Sequence, residues 1–472
     1  MTINKCFRYE LEPNKEQSML LKQHAGNTRF IWNNFVDLYN LYKEEKYTCT
    51  KSDFQKLIHD LVEEFQFLKL SHSQALQFPA HNIVKTIKRA FDEDTIKERK
   101  KAIAKAMAET DEKLKQRKLD KAYNLGFPKY KKKSISNDSI YMPQGFKLRK
   151  SRIYVPKIGW IHYHKHRKFE GIIKVAIIVQ DGKKWYISLC SEIDIKRTNL
   201  NINNIEGIDL GLTKFQTVTD GTSVTNPRHL KNKQKHLRKV NKKLSRKYQQ
   251  HKSGEEFSNN FKKQSKIVRT VHRKIKNTRK DFLMKTANHM IAKYDGIVVE
   301  DLYVKGMLKN KKLAKHISDV SWSEYLRILE YMCLWNSKYF IQIGRWEATS
   351  KTCSNCGWKN NNLKLSDRTF DCPLCGLQMD RDQNASINIK AFGIKLIDEF
   401  IEYIPEMIEY LSFVKKTKEY KQVEEFVKLG NLGILKYKDF IKVKSIISAS
   451  LKQKTTAGTV GCNACGDVSS KF

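Results

Sequence analysis

The stretch Ile205-Glu206-Gly207-Ile208-Asp209-Leu210-Gly211 reads as an apolar strand with a carboxylate near its end and small residues beside it. Just downstream, Asp220-Gly221 inside residues 217–224 signals a hairpin. Helical patterning resumes through Phe282-Leu283 and residues 287–291. It feeds a second apolar strand, Gly296-Ile297-Val298-Val299-Glu300-Asp301-Leu302. A helix over 322–339, a strand over 341–346, a cysteine block and a helix from about Asn384 complete the series. Strand, hairpin, helix, strand, helix, strand, helix is the element order of an RNase H-like domain. No repeat at a solenoid period is visible.

Upstream, Lys5 to Leu11 alternates as one strand, Pro13 ends it, and Asn14 with Gln17 predicts a capping box for the next helix. Leu20, Leu21, Phe30, Ile31, Phe35, Leu38 and Leu41 recur at helical spacing. Pro79 predicts a break before 83–90, and residues 91–124 predict one long exposed helix. Gly126-Phe127-Pro128 stops it, and 129–133 is a basic loop. Residues 153–155, 175–179 and 185–189 predict short strands, the last two joined at Asp181-Gly182. The fold class is therefore α+β and multidomain. A first strand (1–12) belongs with a small β module (126–202), and a helical lobe occupies 13–125. The RNase H-like domain begins at 203–348, receives a cysteine-bearing insert at 349–378 and continues through 379–472.

Lys plus Arg number 90 against 50 Asp plus Glu, a formal net charge of +40. With 40% hydrophobic and 11% aromatic residues, the chain has enough apolar surface to fold. The excess charge repels itself unless a polyanion neutralises it, so nucleic acid is the expected partner, ahead of a membrane surface. Residues 228–280 concentrate 20 of these cations against two Glu. No run approaches a membrane span and Met1 to Glu10 lacks a signal-peptide core, so a soluble cytoplasmic protein of prokaryotic type, associated with the nucleoid and without a membrane partner, is expected. In that compartment, ten cysteines call for a metal reading before a disulfide one.

Cys353-x-x-Cys356 and Cys372-x-x-Cys375, 15 residues apart, have the spacing of a four-thiolate zinc site. Gly357 and Gly376 follow each pair, where left-handed backbone turns N–H groups toward sulfur. Four protein ligands leave no place for water, so this Zn²⁺ is structural. Asp209, Glu300 and Asp382 stand where a metal-dependent nuclease needs acids: two at strand ends and one at a helix start. Together they are expected to hold two Mg²⁺ ions about 4 Å apart for phosphodiester hydrolysis. Gly211 would keep the wall beside Asp209 low for a sugar-phosphate backbone.

Residues 207–211, 297–302, Thr349-Ser350-Lys351-Thr352-Cys353-Ser354-Asn355-Cys356-Gly357 and Asp380-Arg381-Asp382-Gln383-Asn384-Ala385 closely resemble the RuvC-type motifs of TnpB proteins, relatives of compact type V CRISPR effectors. Residues 13–17 and 29–33 resemble that family's opening helix, and 458–461 with 466–467 its tail. The resemblance implies an endonuclease that binds a structured guide RNA, opens double-stranded target DNA beside a short adjacent motif and cuts with one RuvC site. It implies a helical recognition lobe, a β wedge domain and a RuvC domain with an inserted zinc ribbon. The family's acids carry over to Asp209, Glu300 and Asp382; of the two aspartates around Arg381, Asp382 is two residues before Asn384. Arg368 matches a motif position and is expected at the scissile phosphate, its rival role being a pair with Asp367. Lys231, Lys235, Arg238, Lys242, Lys243 and Arg246 are candidates for phosphate contacts. Residues 393–452 read as a long insert of two or three helices, whose roles could be a lid, a guide-RNA contact or a self-association face. Cys462-x-x-Cys465 reads as free thiols. A monomer is favoured over a dimer. A guided DNA-binding repressor, or a transposon accessory protein without cleavage, is the alternative, and three intact acids argue against both.

Overall fold

The computed structural model describes residues 2–45, 49–132, 139–182, 184–195, 204–250, 256–364, 366–414 and 417–460. The chain divides into two compact units, residues 1–194 and 195–472. Cys462 and Cys465, with the family-like positions 466–467, lie outside the described residues.

In the first unit, β1 (Thr2–Glu12) leads through Pro13 into α1 (Lys15–Glu44). The expected capping box is present: Gln17 N donates to Asn14 Oδ1 at 2.7 Å, and Asn14 N donates to Gln17 Oε1 at 3.2 Å. Then come α2 (Lys51–Glu64), α3 (Ser73–Ala90), α4 (Glu93–Met107) and α5 (Glu112–Tyr123). Two expectations need correction here. Pro79 lies inside α3 without ending it, because Ala75, Leu76, Pro79, Ala80 and Ile83 are all buried and this packing outweighs one lost backbone bond. Residues 91–124 form two helices, because Asp111 accepts from Leu114 N at 3.0 Å and starts α5 afresh.

The strands β2 (Ser139–Met142), β3 (Lys147–Arg149), β4 (Arg152–Val155), β5 (Gly159–Tyr163), β6 (Ile172–Asp181) and β7 (Lys184–Asp194) join β1 in a seven-stranded antiparallel sheet, order β2-β6-β7-β1-β5-β4-β3. Leu21, Ala25 and Ala75 pack on its buried face, while Ile31, Phe35, Phe54 and Leu68 form a separate helical core. Register places Cys6 opposite Cys190, and the two are joined as a disulfide. This departs from the expectation that the cysteines be read for metal before disulfides, since strand pairing juxtaposes thiols 184 residues apart that no local motif connects.

The second unit contains β8 (Ile205–Asp209), β9 (Lys214–Val218), β10 (Ser223–Thr225), α6 (His229–Gln249), α7 (Asn259–Lys293), β11 (Gly296–Glu300), α8 (Val304–Met307), α9 (Ala314–Val320), α10 (Trp322–Trp335), β12 (Tyr339–Ile343), β13 (Thr369–Asp371), β14 (Gln378–Asp380), α11 (Arg381–Phe413), α12 (Lys418–Asn431), β15 (Ile434–Lys436) and α13 (Tyr437–Val460). Six strands form one sheet, order β10-β9-β8-β11-β12-β15, in which β8, β9 and β10 are antiparallel and β11, β12 and β15 run parallel to β8. Alternate side chains serve its two faces. Ile208, Ile297 and Phe340 pack with α7 and α10, and Ile205, Val298 and Ile341 pack with α11 to α13.

The basic stretch forms α6 and α7, joined through Val240, Val268, Val271 and Ile275. Residues 393–452, expected as a long insert of two or three helices, hold the end of α11, all of α12, β15 and the greater part of α13. The helix α11 continues through Pro405, β15 extends the sheet, and Leu396, Phe400, Met407, Phe426 and Phe440 are consumed in the core. Among the described residues, no helix is long and apolar enough to cross a membrane.

Candidate active site

Asp209 is the last residue of β8 and Glu300 the last of its parallel neighbour β11, with Val299 registered against Ile208. The two acids therefore stand side by side at the carboxyl ends of adjacent strands. Gly207 explains how the third arrives. It shares a face with Asp209, and a Cβ at Gly207 would come within 2.1 Å of the Ser386 carbonyl. Only glycine lets α11 lie this close, and that places Asp382, one turn before Ser386, against the strand ends. Gly211 has a different task from the one expected: a Cβ there would meet the Lys214 carbonyl at 2.7 Å, so it tightens the β8–β9 hairpin.

Burial first, then the charges of Glu300 and Asp382, push the Asp209 carboxyl up to about 8, against the opposing influence of Arg381. Burial also raises the carboxyl of Glu300, whose Oε1 accepts from the Thr349 hydroxyl. All three acids remain partly exposed, hence reachable. Their oxygens are not among the described groups whose ligand atoms all lie within 4.8 Å of one another. Like charges gathered in a desolvated place fit divalent cations.

The two aspartates around Arg381 have separate duties. Asp380 caps α11: its Oδ1 accepts from Asp382 N at 2.9 Å and Gln383 N at 3.2 Å, and its Oδ2 from Lys214 Nζ at 2.9 Å. Burial works against its ionisation, yet Lys214 and the backbone donors hold its carboxyl below the ordinary value. Asp382 instead faces Arg381, whose Nη2 donates to Oδ1 at 3.1 Å. Glu206, on the opposite face of β8, is buried and accepts from Gly207 N and Thr219 N at 3.1 and 2.9 Å, a structural carboxylate.

The four expected cysteines converge. Sγ of Cys353 and Cys375 are 3.6 Å apart, and those of Cys356 and Cys372 3.5 Å, close to the roughly 3.8 Å edge of a tetrahedron with 2.3 Å zinc–sulfur bonds. Both knuckles repeat one design. Gly357 and Gly376 have φ of +78° and +71° and donate to the carbonyls of Cys353 and Cys372 at 3.0 and 2.9 Å. This four-thiolate set fits one Zn²⁺.

Sequence reasoning missed what joins the two sites. Asn384 Oδ1 accepts from Ser354 N at 2.9 Å, and its Nδ2 donates to Thr352 O at 2.7 Å. Asn388, one turn on, donates to Thr349 O at 2.8 Å and Thr352 O at 2.6 Å. Thr349 in turn reaches Glu300. The available signal was two asparagines at i, i+4 in the apolar helix that follows an acid. Arg381 was also overlooked, and its guanidinium meets Asp382. The Arg368 side chain is exposed and makes no ion pair among the described residues, while Asp367 accepts from Lys364 N and the Ser366 hydroxyl. Lys231, Lys235, Arg238, Lys242, Lys243 and Arg246 are all exposed on α6.

Three family models match the chain: "Probable transposase" over 188–311, "Cas12f1-like, TNB domain" over 322–389, and "Helix-turn-helix domain" over 1–47. "Putative RNA-guided DNA endonuclease InsQ" of Escherichia coli (strain K12) is 30% identical over 412 residues, covering 82% of this chain and 92% of that one. "Putative RNA-guided DNA endonuclease" of Streptomyces pristinaespiralis is 28% identical over 409 residues, 83% and 90% of the two chains. "TnpB-like protein L79" of Acanthamoeba polyphaga mimivirus is 28% identical over 234 residues, 47% of this chain and 43% of that one. With similarity of this extent running through both units, the chain belongs to the TnpB family.

Proposed function

We propose that this protein is an RNA-guided DNA endonuclease whose single cutting site is built from Asp209, Glu300 and Asp382. The observation that supports it is the gathering of three carboxylates at the strand ends, pushing Asp209 up to about 8. The acids would hold two divalent ions, Mg²⁺ by donor type, which when bound supply water activation and stabilisation of the leaving oxygen. Thr349 orients Glu300, Asp380 fixes the start of α11, and Arg381 balances Asp382. Arg368 is assigned to the scissile phosphate, and the exposed cations of α6 to the phosphates of a guide–target duplex. The helical part of the first unit serves as recognition lobe and its sheet as wedge.

The test is cleavage of a plasmid bearing a matched target by the protein purified with the RNA from its native locus. Asp209→Ala, Glu300→Ala and Asp382→Ala should each lower cutting about a thousandfold or more while RNA and DNA binding persist. Arg368→Ala should slow cutting by orders of magnitude with DNA still bound. Undiminished cutting by Asp382→Ala would sink the site assignment, and a folded, zinc-loaded protein with no specific RNA would sink guidance.

A further inference from the structure

A second cluster of metal-ligating groups lies in the first unit. His162 and His164 alternate with Tyr163 at the end of β5, so both imidazoles project from one face while Tyr163 is fully buried on the other. The Tyr163 hydroxyl donates to Lys150 O at 3.1 Å, and His164 N donates to Glu10 O at 2.9 Å, fixing the backbone on both sides. Glu12, the last residue of β1, is registered directly opposite His162. Its Oε2 lies 3.0 Å from His162 Nδ1 and its Oε1 2.6 Å from His164 Nε2. One nitrogen from each ring and the carboxylate thus gather with all three ligand atoms within 4.8 Å of one another.

We propose that Glu12, His162 and His164 form a second metal site that takes a divalent transition ion of borderline softness, Zn²⁺ above all. Two imidazoles and one carboxylate are a donor set suited to Zn²⁺, with the fourth position left to water. Mg²⁺ would be a poor occupant, since it prefers an all-oxygen octahedron. His166 is not a ligand, because its ring packs against Tyr9 with centroids 5.2 Å apart and its Nδ1 faces the His164 carbonyl. Arg152, registered with His162 on the far side in β4, is a repelling neighbour that makes this site weaker than the four-thiolate one.

The site's place in the fold gives it a mechanical role. Glu12 immediately precedes Pro13 and the Asn14 cap of α1, and Gln17 in the first turn of α1 donates to Trp160 O at 3.0 Å. An ion shared between β1 and β5 would clamp the joint at which the strand turns into the helix.

The test is a zinc count by mass spectrometry on the full protein with its co-purified RNA, at about 1 μM buffered free zinc. Wild type should hold two ions per chain, one for each of the two ligand groups. Glu12→Gln and His162→Ala/His164→Ala should hold one each. Because all samples contain the RNA, ions bound to RNA cancel in the comparison. A wild-type count of one, a second ion that persists in the double variant, or a second ion that appears only at millimolar zinc would each overturn the proposal. The three side chains are substantially exposed, so the variants should melt near wild type without zinc. Added zinc should raise the melting temperature of wild type further than that of either variant, in which only the four-thiolate group remains to be filled.

Discussion

The four-cysteine ribbon and the three-carboxylate site are neighbours built by opposite rules. All ligands of the ribbon fall within 23 residues, its knuckles close on themselves, and its small core is little more than Cys353, Phe370 and Cys372 with Trp358, Leu363 and Leu377. Its geometry is local, and the Zn²⁺ that its four thiolates fit would hold it together. The carboxylates come from β8, β11 and α11, positions that only a packed sheet and a helix lying on Gly207 bring together. Their geometry is global, and their mutual repulsion works against the fold. The difference teaches that the ribbon does more than extend the surface. It fixes the ends of the segments that deliver Glu300 and Asp382: β14 runs without a break into α11, and Thr349 sits just before the first knuckle.

Among changes that leave the three acids and Arg368 in place, zinc loss should therefore produce the largest effect. Removing zinc by chelation and then restoring Mg²⁺, or replacing Cys356 by Ser, should lower cutting about a hundredfold to a thousandfold. The sheet core should survive, as read by the melting of the remaining fold. Full activity in a verified zinc-free protein would break the link between the two sites.

Asn388→Ala sharpens the same comparison. It leaves the four thiolates intact but strips a buried donor from the carbonyls of Thr349 and Thr352. Zinc content should be unchanged, and cutting should fall about tenfold to a hundredfold through misplacement of Glu300. Asn388→Asp would keep the shape but not the two donations, and should not rescue activity. A loss of zinc alongside activity would mean that Asn388 serves the ribbon alone.

How much of this was legible in the sequence follows the same divide. Cysteine spacing and the knuckle glycines announced the ribbon, because four ligands and two turns are all it needs. The acids could be picked out individually, and Asp382 could be told from Asp380 only through a family motif. The packing shows the physical distinction, with Asp380 occupied by Lys214 and two backbone donors. What escaped notice was long-range. Thr349 reaches Glu300 across 49 residues, Cys6 meets Cys190 across 184, and Glu12 meets His162 across 150. Local signals also misled where packing overrode them. Pro79 and Pro405 both lie inside helices whose buried faces outweigh the missing backbone donor.

The pH response separates the carboxylate site from the ribbon with a smaller effect. Asp209 ordinarily loses its proton near 3.8 in the unfolded chain but only near about 8 in the ion-free fold. Between those values the folded state holds a proton that the unfolded state has released. Its stabilising contribution is full below the lower value and is lost as pH rises through the upper one. Ion-free wild type should lose at most about 1.4 kcal/mol per pH unit from this group across that window. Asp209→Asn should remove the slope, matching wild type near pH 4 and melting several degrees higher near pH 8, where added Mg²⁺ should restore the wild type. Identical melting profiles for the two proteins would mean that Asp209 is not held in a desolvated, repulsive place.

The smallest effect belongs to the basic helix, where chemistry is spread over many equivalent side chains. Lys231, Lys235, Arg238, Lys242 and Arg246 follow one another at four- and three-residue steps along α6, so they line one face, with Lys243 beside it. Each is exposed and replaceable by its neighbours, unlike a member of the carboxylate or the cysteine cluster. Lys242→Ala should weaken DNA binding only a few-fold, equally for matched and mismatched targets, and lower the slope of log affinity against log salt by about one. Cutting at saturating protein should be unchanged, because the residue touches neither the acids nor the segments that hold them. An unaltered salt slope would show that this face of α6 meets solvent rather than phosphate. A sequence-dependent loss would instead point to base contacts and change the reading of the helix.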